Sequence, residues 1–408
     1  MVRAGISKLD VKRRNRTQIL NILREKGPTS RVDIAESLDI TRAAVTIITN
    51  EMIDDGIVFE SGENSGEQKK LSRGRKKRPI DICENYKFGL GICIDEGVVT
   101  AGLSNLRGAT LDKKRIVLEK NDKREDVIKK IGELVTQLKY DSCLDDNKII
   151  GVGCCISMSE HKRMKVPVQN EFSDFTELEQ KLAKKFKMPV VIGRTISALA
   201  LTELEFSSPA KNIIEGPNGM LYVRCGWNID AAIIINTETG YATKPVRFDH
   251  LKVDMDGEEC SCGRKGCGAT QYSLATIENR IKEIYSIENT PRLYEITGGD
   301  KDKALIETFK ASSEMLDENV RDAFYKALDY FSMDIANFVT IINSETIVIA
   351  TDFGDLDNSV FEYVTEKTSE YVKFDVKDRF VLSPLKKSTL YRTGCAMAVR
   401  EFFIKTGG

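Results

Sequence analysis

The sequence predicts an α/β protein: a body of two lobes preceded by a small, helix-rich winged helix-turn-helix domain. Three observations lead there. Residues 14–60 carry short helical apolar stripes separated by turn signals. From Tyr86 onward, strand-like and helix-like segments alternate. Runs such as AAIIIN and TIVIA are apolar without period-two alternation, which suits sheets covered on both faces. A chain of 408 residues also exceeds one ordinary core and divides into two or three domains.

Composition narrows the classes. Hydrophobic residues make up 41% and charged residues 30%, the balance of a soluble globular chain. No apolar run approaches the roughly 18–20 residues that span a bilayer, so no membrane partner is expected. The N-terminus, MVRAGISKLDVKRRNR, has basic residues but no apolar signal-peptide core. Most of the ten cysteines lie in apolar strand-like runs such as GVGCCIS and FGLGICID. Without an export signal they read as buried, reduced thiols of a cytoplasmic protein. The net charge of −1 hides an asymmetry: residues 1–82 hold 17 Lys and Arg against 12 Asp and Glu, the remainder 44 against 50. A basic N-terminal segment on an acidic body points to nucleic acid for the first part only.

The N-terminal elements follow in order. From Arg14 to Lys26, Ile19, Leu20, Ile22 and Leu23 make one helical stripe, closed by Gly27-Pro28. Thr29 or Ser30 caps a second helix, SRVDIAESLDI, with Ile34, Ala35 and Leu38 inward. Thr41 caps a third, TRAAVTIITNEMIDDG, with Val45, Ile48 and Met52 on one face. Gly56 ends it and IVFES begins a strand. The third helix is the expected groove reader. Its outward residues are Arg42, Ala43, Thr46 and Asn50. Arginine forks onto guanine, threonine and alanine meet a thymine methyl, and asparagine pairs with adenine. A three-helix pattern alone also fits a protein-binding module. The next stretch, KKLSRGRKKRPI, holds seven basic residues and no acid. There Arg73, Gly74 and Arg75 set two guanidinium groups around a residue without a side chain, which suits a narrow minor groove. A solvated linker is the plainer alternative; the position after the wing strand favours double-stranded DNA.

In the body, FGLGICID and VVTAGLSNLRGA read as a strand pair with Gly108 at the following turn. KREDVIKKIGELVTQL is an amphipathic helix, KIIGVGCCIS a buried strand, FTELEQKLAKKF a helix and PVVIG a strand. A second set follows: GMLYVRC, DAAIIIN, helices at 271–287 and 317–342, then ETIVIAT and RFVLSP. Two strand-rich sets imply two lobes with a cleft between them.

One cluster carries metal chemistry. Cys260, Cys262 and Cys267 stand at C-x-C-x4-C spacing, ten residues after His250, in a chain with only two histidines. Zinc takes four N or S ligands in tetrahedral geometry, and this set completes Cys3His, with Gly263 and Gly266 for the tight turn. All four positions are protein ligands, so the site is closed and structural.

The claw, the phrase IANFVTIINSETIVIA (335–350), Gly394-Cys395-Ala396 and the fused winged helix together resemble the ROK family, which groups bacterial transcriptional repressors with sugar kinases. The resemblance runs over essentially the whole chain, and the claw matches the family's zinc motif position for position. It implies an actin-like, sugar-kinase-like ATPase fold behind the DNA-binding domain, assembled as a homodimer or homotetramer. Regulatory members answer to a sugar, a sugar phosphate or a partner protein. The expected division is a winged helix with its basic linker at 1–82, a first lobe at 83–200 completed by a C-terminal helix at about 385–408, and a second lobe with the zinc site at 201–384.

Against that pattern the catalytic groups are gone. A family kinase needs a carboxylate base and glycine-rich turns around ATP phosphates. Aligned on Glu203, the catalytic Asn-Asp pair reads Arg194-Thr195. The first phosphate loop falls on Cys93-Ile94-Asp95-Glu96-Gly97, and the second on 226–232, where only Gly226 survives and Asp230 brings a negative charge. The Glu-x-x-His sugar motif reads Arg247-Phe248-Asp249-His250, and the glutamate beyond the claw is Ala269. No ATP binding or catalysis is expected. Arg194, Thr195, Arg247 and His250 converge on the family's sugar pocket, where two guanidinium groups favour an anionic effector. The alternative is that they pair with Asp230, Asp249 or other local acids and merely fill a dead pocket. The leading expectation is a repressor on a palindromic operator; a sugar kinase fused to a DNA-binding domain and a regulator without a small-molecule effector remain as alternatives.

Overall fold

The computed structural model describes residues 8–61, 78–119, 121–157, 175–206, 219–226, 229–237, 240–305, 317–352 and 354–408. The N-terminal domain forms helix by helix where the apolar stripes fall. Helix α1 (Lys8–Lys26) starts earlier than the stripe suggests and stops at Gly27, whose φ of 73° ends the helical conformation. Ser30 caps α2 (Arg31–Leu38) by accepting from Asp33 N, and Thr41 caps α3 (Arg42–Asp54) by accepting from Ala44 N. Strands β1 (Thr29–Ser30), β2 (Val58–Glu60) and β3 (Pro79–Ile82) close a small sheet in the order β1-β3-β2, the wing.

The body holds two five-stranded sheets of one topology. The first is built from β4 (Phe88–Asp95), β5 (Val98–Asn105), β6 (Thr110–Val117), β7 (Ile149–Ile156) and β8 (Val190–Arg194), in the order β6-β5-β4-β7-β8. The second repeats that order as β11-β10-β9-β12-β13, from β9 (Met220–Cys225), β10 (Ile229–Thr237), β11 (Gly240–Val246), β12 (Thr346–Thr351) and β13 (Phe380–Leu382). In each, three antiparallel strands are followed by two parallel ones. Helices α4 (Arg124–Ser142) and α5 (Phe175–Phe186) cover one face of the first sheet. The second lobe adds α7 (Ala269–Tyr272), α8 (Leu274–Ile284), α9 (Pro291–Thr297), α10 (Glu318–Ile342) and α11 (Asp357–Val372).

Several expectations need correction. The helix expected at 271–287 is two helices, broken where Ser273 turns extended and caps α8 through Thr276 N. The edge strands β6 and β11 and helix α11 carry too little apolar content for the sequence reading to find them. Five of the eight residues of β6 are polar or charged, and as an edge strand it needs burial on one face only.

Two helices tie the molecule together. Helix α6 (Thr195–Glu205) lies between the sheets, touching Cys93 and Cys155 on one side and Tyr222, Ala232 and Val348 on the other. Helix α12 (Tyr391–Val399) runs against β4 and β7 so closely that only glycine fits. A Cβ on Gly91 would stand 1.9 Å from Tyr391 O, and one on Gly153 would stand 2.0 Å from Gly394 O. Beyond α12, Phe403 and Ile404 enter one apolar core with Ile19, Leu20 and Leu23 of α1 and Met52 of α3. The DNA-reading domain is thereby packed onto the body rather than tethered to it.

Candidate functional site

The face of α3 that turns away from its core carries the expected reading residues. Thr41, Arg42, Ala43, Thr46 and Asn50 are exposed, while Val45, Ile48, Thr49 and Met52 are buried. Among the described residues the Arg42 head pairs only with Glu36, at 3.9 Å with both side chains about 70% exposed, too wet a pair to hold it. Thr46 donates its hydroxyl to Arg42 O at 2.8 Å, which leaves its methyl outward. Ile47 is 62% exposed on the same face and was missed. The signal was available: it stands four residues after Ala43 and three before Asn50, the spacing of one helix face. Arg73, Gly74 and Arg75 lie outside the described residues.

The claw closes as expected. Gly263 and Gly266 take φ of 83° and 69°, and a Cβ on Gly266 would stand 1.6 Å from Asp254 O. The turn brings the ligand atoms of His250, Cys260, Cys262 and Cys267 within 4.8 Å of one another. Around a tetrahedral ion with Zn–S near 2.3 Å and Zn–N near 2.0 Å, two sulfurs stand about 3.8 Å apart and sulfur and nitrogen about 3.6 Å. Cys262 Sγ to Cys267 Sγ is 3.6 Å and Cys260 Sγ to His250 Nδ1 is 3.5 Å. The donor set therefore fits a tetrahedral cation of the zinc type. Asp249 stands 3.2 Å from the other ring nitrogen, Nε2, the partner that orients a metal-binding histidine. Burial and the neighbouring Arg247 lower the His250 pKa, keeping its imidazole neutral. Hydrogen bonds from Arg264 bring the Cys262 thiol down to about 6, whereas burial pushes Cys267 up to about 12. Metal binding ionises such thiols.

Beside the claw lies a cavity of about 300 Å³ between the lobes. Arg194 at the end of β8, Thr195 at the start of α6, and Arg247 and His250 after β11 all line it, with Arg224, Asp230 and Asp249. The structure thus brings the four expected pocket residues together. The charge of Arg247 acts on Asp249 across this pocket. Burial and the charge of Asp230 push the Asp249 carboxyl up to about 6. Thr195 is buried, with its hydroxyl 3.8 Å from Cys93 Sγ.

At the strand ends where phosphate loops are expected, ion pairs join the lobes. Strand β4 ends at Asp95, and Glu96 and Gly97, both at positive φ, turn the chain into β5. Arg224 of β9 donates to both carboxylate oxygens of Asp95, at 3.3 and 2.9 Å, and to Asp352 at 3.3 Å. Lys387 completes the clasp, 2.8 Å from Glu96 and 3.6 Å from Asp352. Burial alone would raise the Asp95 pKa, but the charge of Arg224 outweighs it and the carboxyl is lowered. The loss of the phosphate loop is legible in the sequence but the role of Arg224 is not, because its two partners, Asp95 and Asp352, are distant in the chain.

Comparison with known proteins agrees with this geometry. The ROK family matches residues 91–395, and a winged helix-turn-helix DNA-binding family matches residues 12–58. The xylose repressor of Bacillus spizizenii is 26% identical over 287 residues, covering 67% of this chain and 70% of the repressor. Among solved structures, a ROK family transcriptional regulator, a homologue of the Escherichia coli MLC protein, superposes with a TM-score of 0.72 at 19% identity, covering 97% of each chain. A ROK family glucokinase from Streptomyces griseus, in complex with glucose and AMPPNP, superposes with a TM-score of 0.58 at 16% identity, covering 75% of this chain and 98% of the kinase. With the family match spanning both lobes and a winged helix-turn-helix in front of them, the chain belongs to the ROK family in its DNA-binding form.

Proposed function

We propose that this chain is a sequence-specific transcriptional repressor whose kinase-shaped body senses an anionic sugar derivative and does not phosphorylate it. The observation that carries the DNA-binding half is the exposed face of α3, where Thr41, Arg42, Ala43, Thr46 and Asn50 stand open to an approaching duplex. A dimer would set two such helices about one DNA turn apart, on a palindromic operator. Gel shifts with DNA from the protein's own promoter region test this; no shift there counts against it.

The sensing half rests on the interlobe cavity. Arg194 and Arg247 offer forked donors to a phosphate or carboxylate, and the N-terminus of α6, which Arg194 does not cap with its side chain, adds a favourable dipole. Asp230 and Asp249 on the same walls are acceptors for sugar hydroxyls. An acidic or phosphorylated monosaccharide satisfies both sets. Calorimetry with sugar acids and sugar phosphates should give binding that Arg247→Ala weakens. Absence of binding, or binding indifferent to Arg247, ends this part of the reading.

Loss of catalysis is supported by two features. Thr195 stands where a base is needed, and the carboxylates of Asp95 and Asp352 are already neutralised by Arg224 at the strand ends. A coupled ATP-turnover assay across a sugar panel should remain at background, and measurable phosphorylation would favour the kinase alternative. In the claw, His250, Cys260, Cys262 and Cys267 would hold a structural zinc that fixes the loop carrying Asp249 and His250 against the cavity. The proposed division into a winged helix and two lobes follows the expected boundaries, with the shared core of α1 and α12 as the joint.

A further inference from the structure

Arg31, the first residue of α2, reaches across the helix-turn-helix to three acceptors. Its Nε donates to Thr49 Oγ1 at 3.0 Å, one terminal nitrogen to Glu60 Oε1 at 2.7 Å and the other to Asn50 Oδ1 at 3.1 Å. The guanidinium is held on all three sides, by α3 twice and by the wing strand β2 once. Its side chain is only 19% exposed. Arginine has donors and no acceptor, so the atom of Asn50 that faces it is the carbonyl oxygen; turning the amide round would set N–H against N–H.

We infer that Asn50 reads the major groove as a donor only, and that Arg31 is the positioning residue that makes it so. The two-bond contact with adenine needs an acceptor and a donor from the same amide. Arg31 holds one lone pair of that oxygen and fixes the oxygen toward its own half-buried guanidinium, which turns the acceptor away from an approaching base. The two N–H bonds of Nδ2 remain, and they suit a base edge built of acceptors. Guanine offers N7 and O6 side by side; adenine offers one acceptor beside a donor, cytosine a donor, and thymine a lone O4 beside its methyl. The base opposite Asn50 is therefore guanine, which revises the adenine expected from sequence. The inference rests on α3 being the groove-reading helix.

The test is selection from a randomised duplex library by the full-length protein, its Asn50→Asp variant and its Arg31→Met variant. Wild type should enrich guanine over adenine roughly tenfold at one position per half-site. Asn50→Asp, which offers only acceptors, should move that position to cytosine. Arg31→Met frees the amide oxygen and should move it toward adenine. If Arg31→Met proves unfolded by circular dichroism, the exposed Asn50→Asp substitution still decides. Adenine at that position in wild type, or no position that responds to Asn50→Asp, overturns the inference alone. A library with no enriched sequence overturns the reading of α3 as well.

Discussion

The carboxylate of Glu205, the last residue of α6, is buried against the guanidinium of Arg24 on α1 of the DNA-reading domain. Arg400 shares the same oxygen at 2.8 Å and donates to Tyr241 O at 3.0 Å. Helix α6, eleven residues long, thus begins on the interlobe cavity, at Thr195, Ile196 and Leu199, and ends at the joint with the DNA reader. One carboxylate holds three parts of the molecule: the winged helix, the central helix and the C-terminal segment.

Glu205→Gln should destabilise the protein. Arg24 and Glu205 are 5% and 2% exposed, so the substitution leaves two guanidinium charges with little water to replace the lost partner. Breaking a buried pair from one side costs about 3–5 kcal/mol. Urea unfolding should show a lower midpoint; an unchanged midpoint would mean the cluster is far wetter than its burial indicates.

The same residue predicts an acid dependence. Burial would raise the Glu205 pKa, but the charges of Arg24 and Arg400 outweigh it, and the folded value lies below the ordinary 4.5. A depressed carboxylate adds stability above its unfolded pKa, and that share is lost as pH falls through the folded value. The gap in stability between wild type and Glu205→Gln should therefore shrink as pH drops below 4.5. A gap that widens in acid would contradict the sign.

How far these features were legible depended on distance in the chain. The capped helices, the apolar strands and the claw are local patterns: Thr41 and Ala44, or Cys260 and Cys262, lie within a few residues of each other. Arg194 and Arg247 could be brought to one pocket only through the family resemblance. Nothing local pairs Arg24 with Glu205, Arg224 with Asp95, or Arg31 with Asn50. Each of those is a partner choice made by the fold, between residues that look in isolation like ordinary surface polar groups. Gly91, Gly153 and Gly394 were visible as glycines, but the close approach of α12 to β4 and β7 that requires them was not.

Cys262→Ser should lose metal and stability together, since three ligands no longer close a tetrahedral site. Metal analysis should give less than one zinc per chain, and the thermal midpoint should fall, with a similar fall on chelation of the wild type. Full stability with one bound zinc in the variant would mean that Cys262 is not a ligand.

Arg42→Ala should weaken operator binding roughly tenfold while leaving folding intact, because its head is exposed and makes no contact worth keeping in the free protein. Fluorescence anisotropy on the operator and on a scrambled duplex separates the two terms. A loss confined to the operator marks Arg42 as a base reader; an equal loss on both marks it as a phosphate contact.

Binding isotherms on the selected operator and its scrambled counterpart, across a salt series, decide whether this ROK-family body carries a sequence-reading DNA-binding domain. The operator should be preferred at every salt concentration, with affinity falling steeply as salt rises because phosphate contacts release counterions. Equal affinity for both duplexes, or binding indifferent to salt, would contradict it.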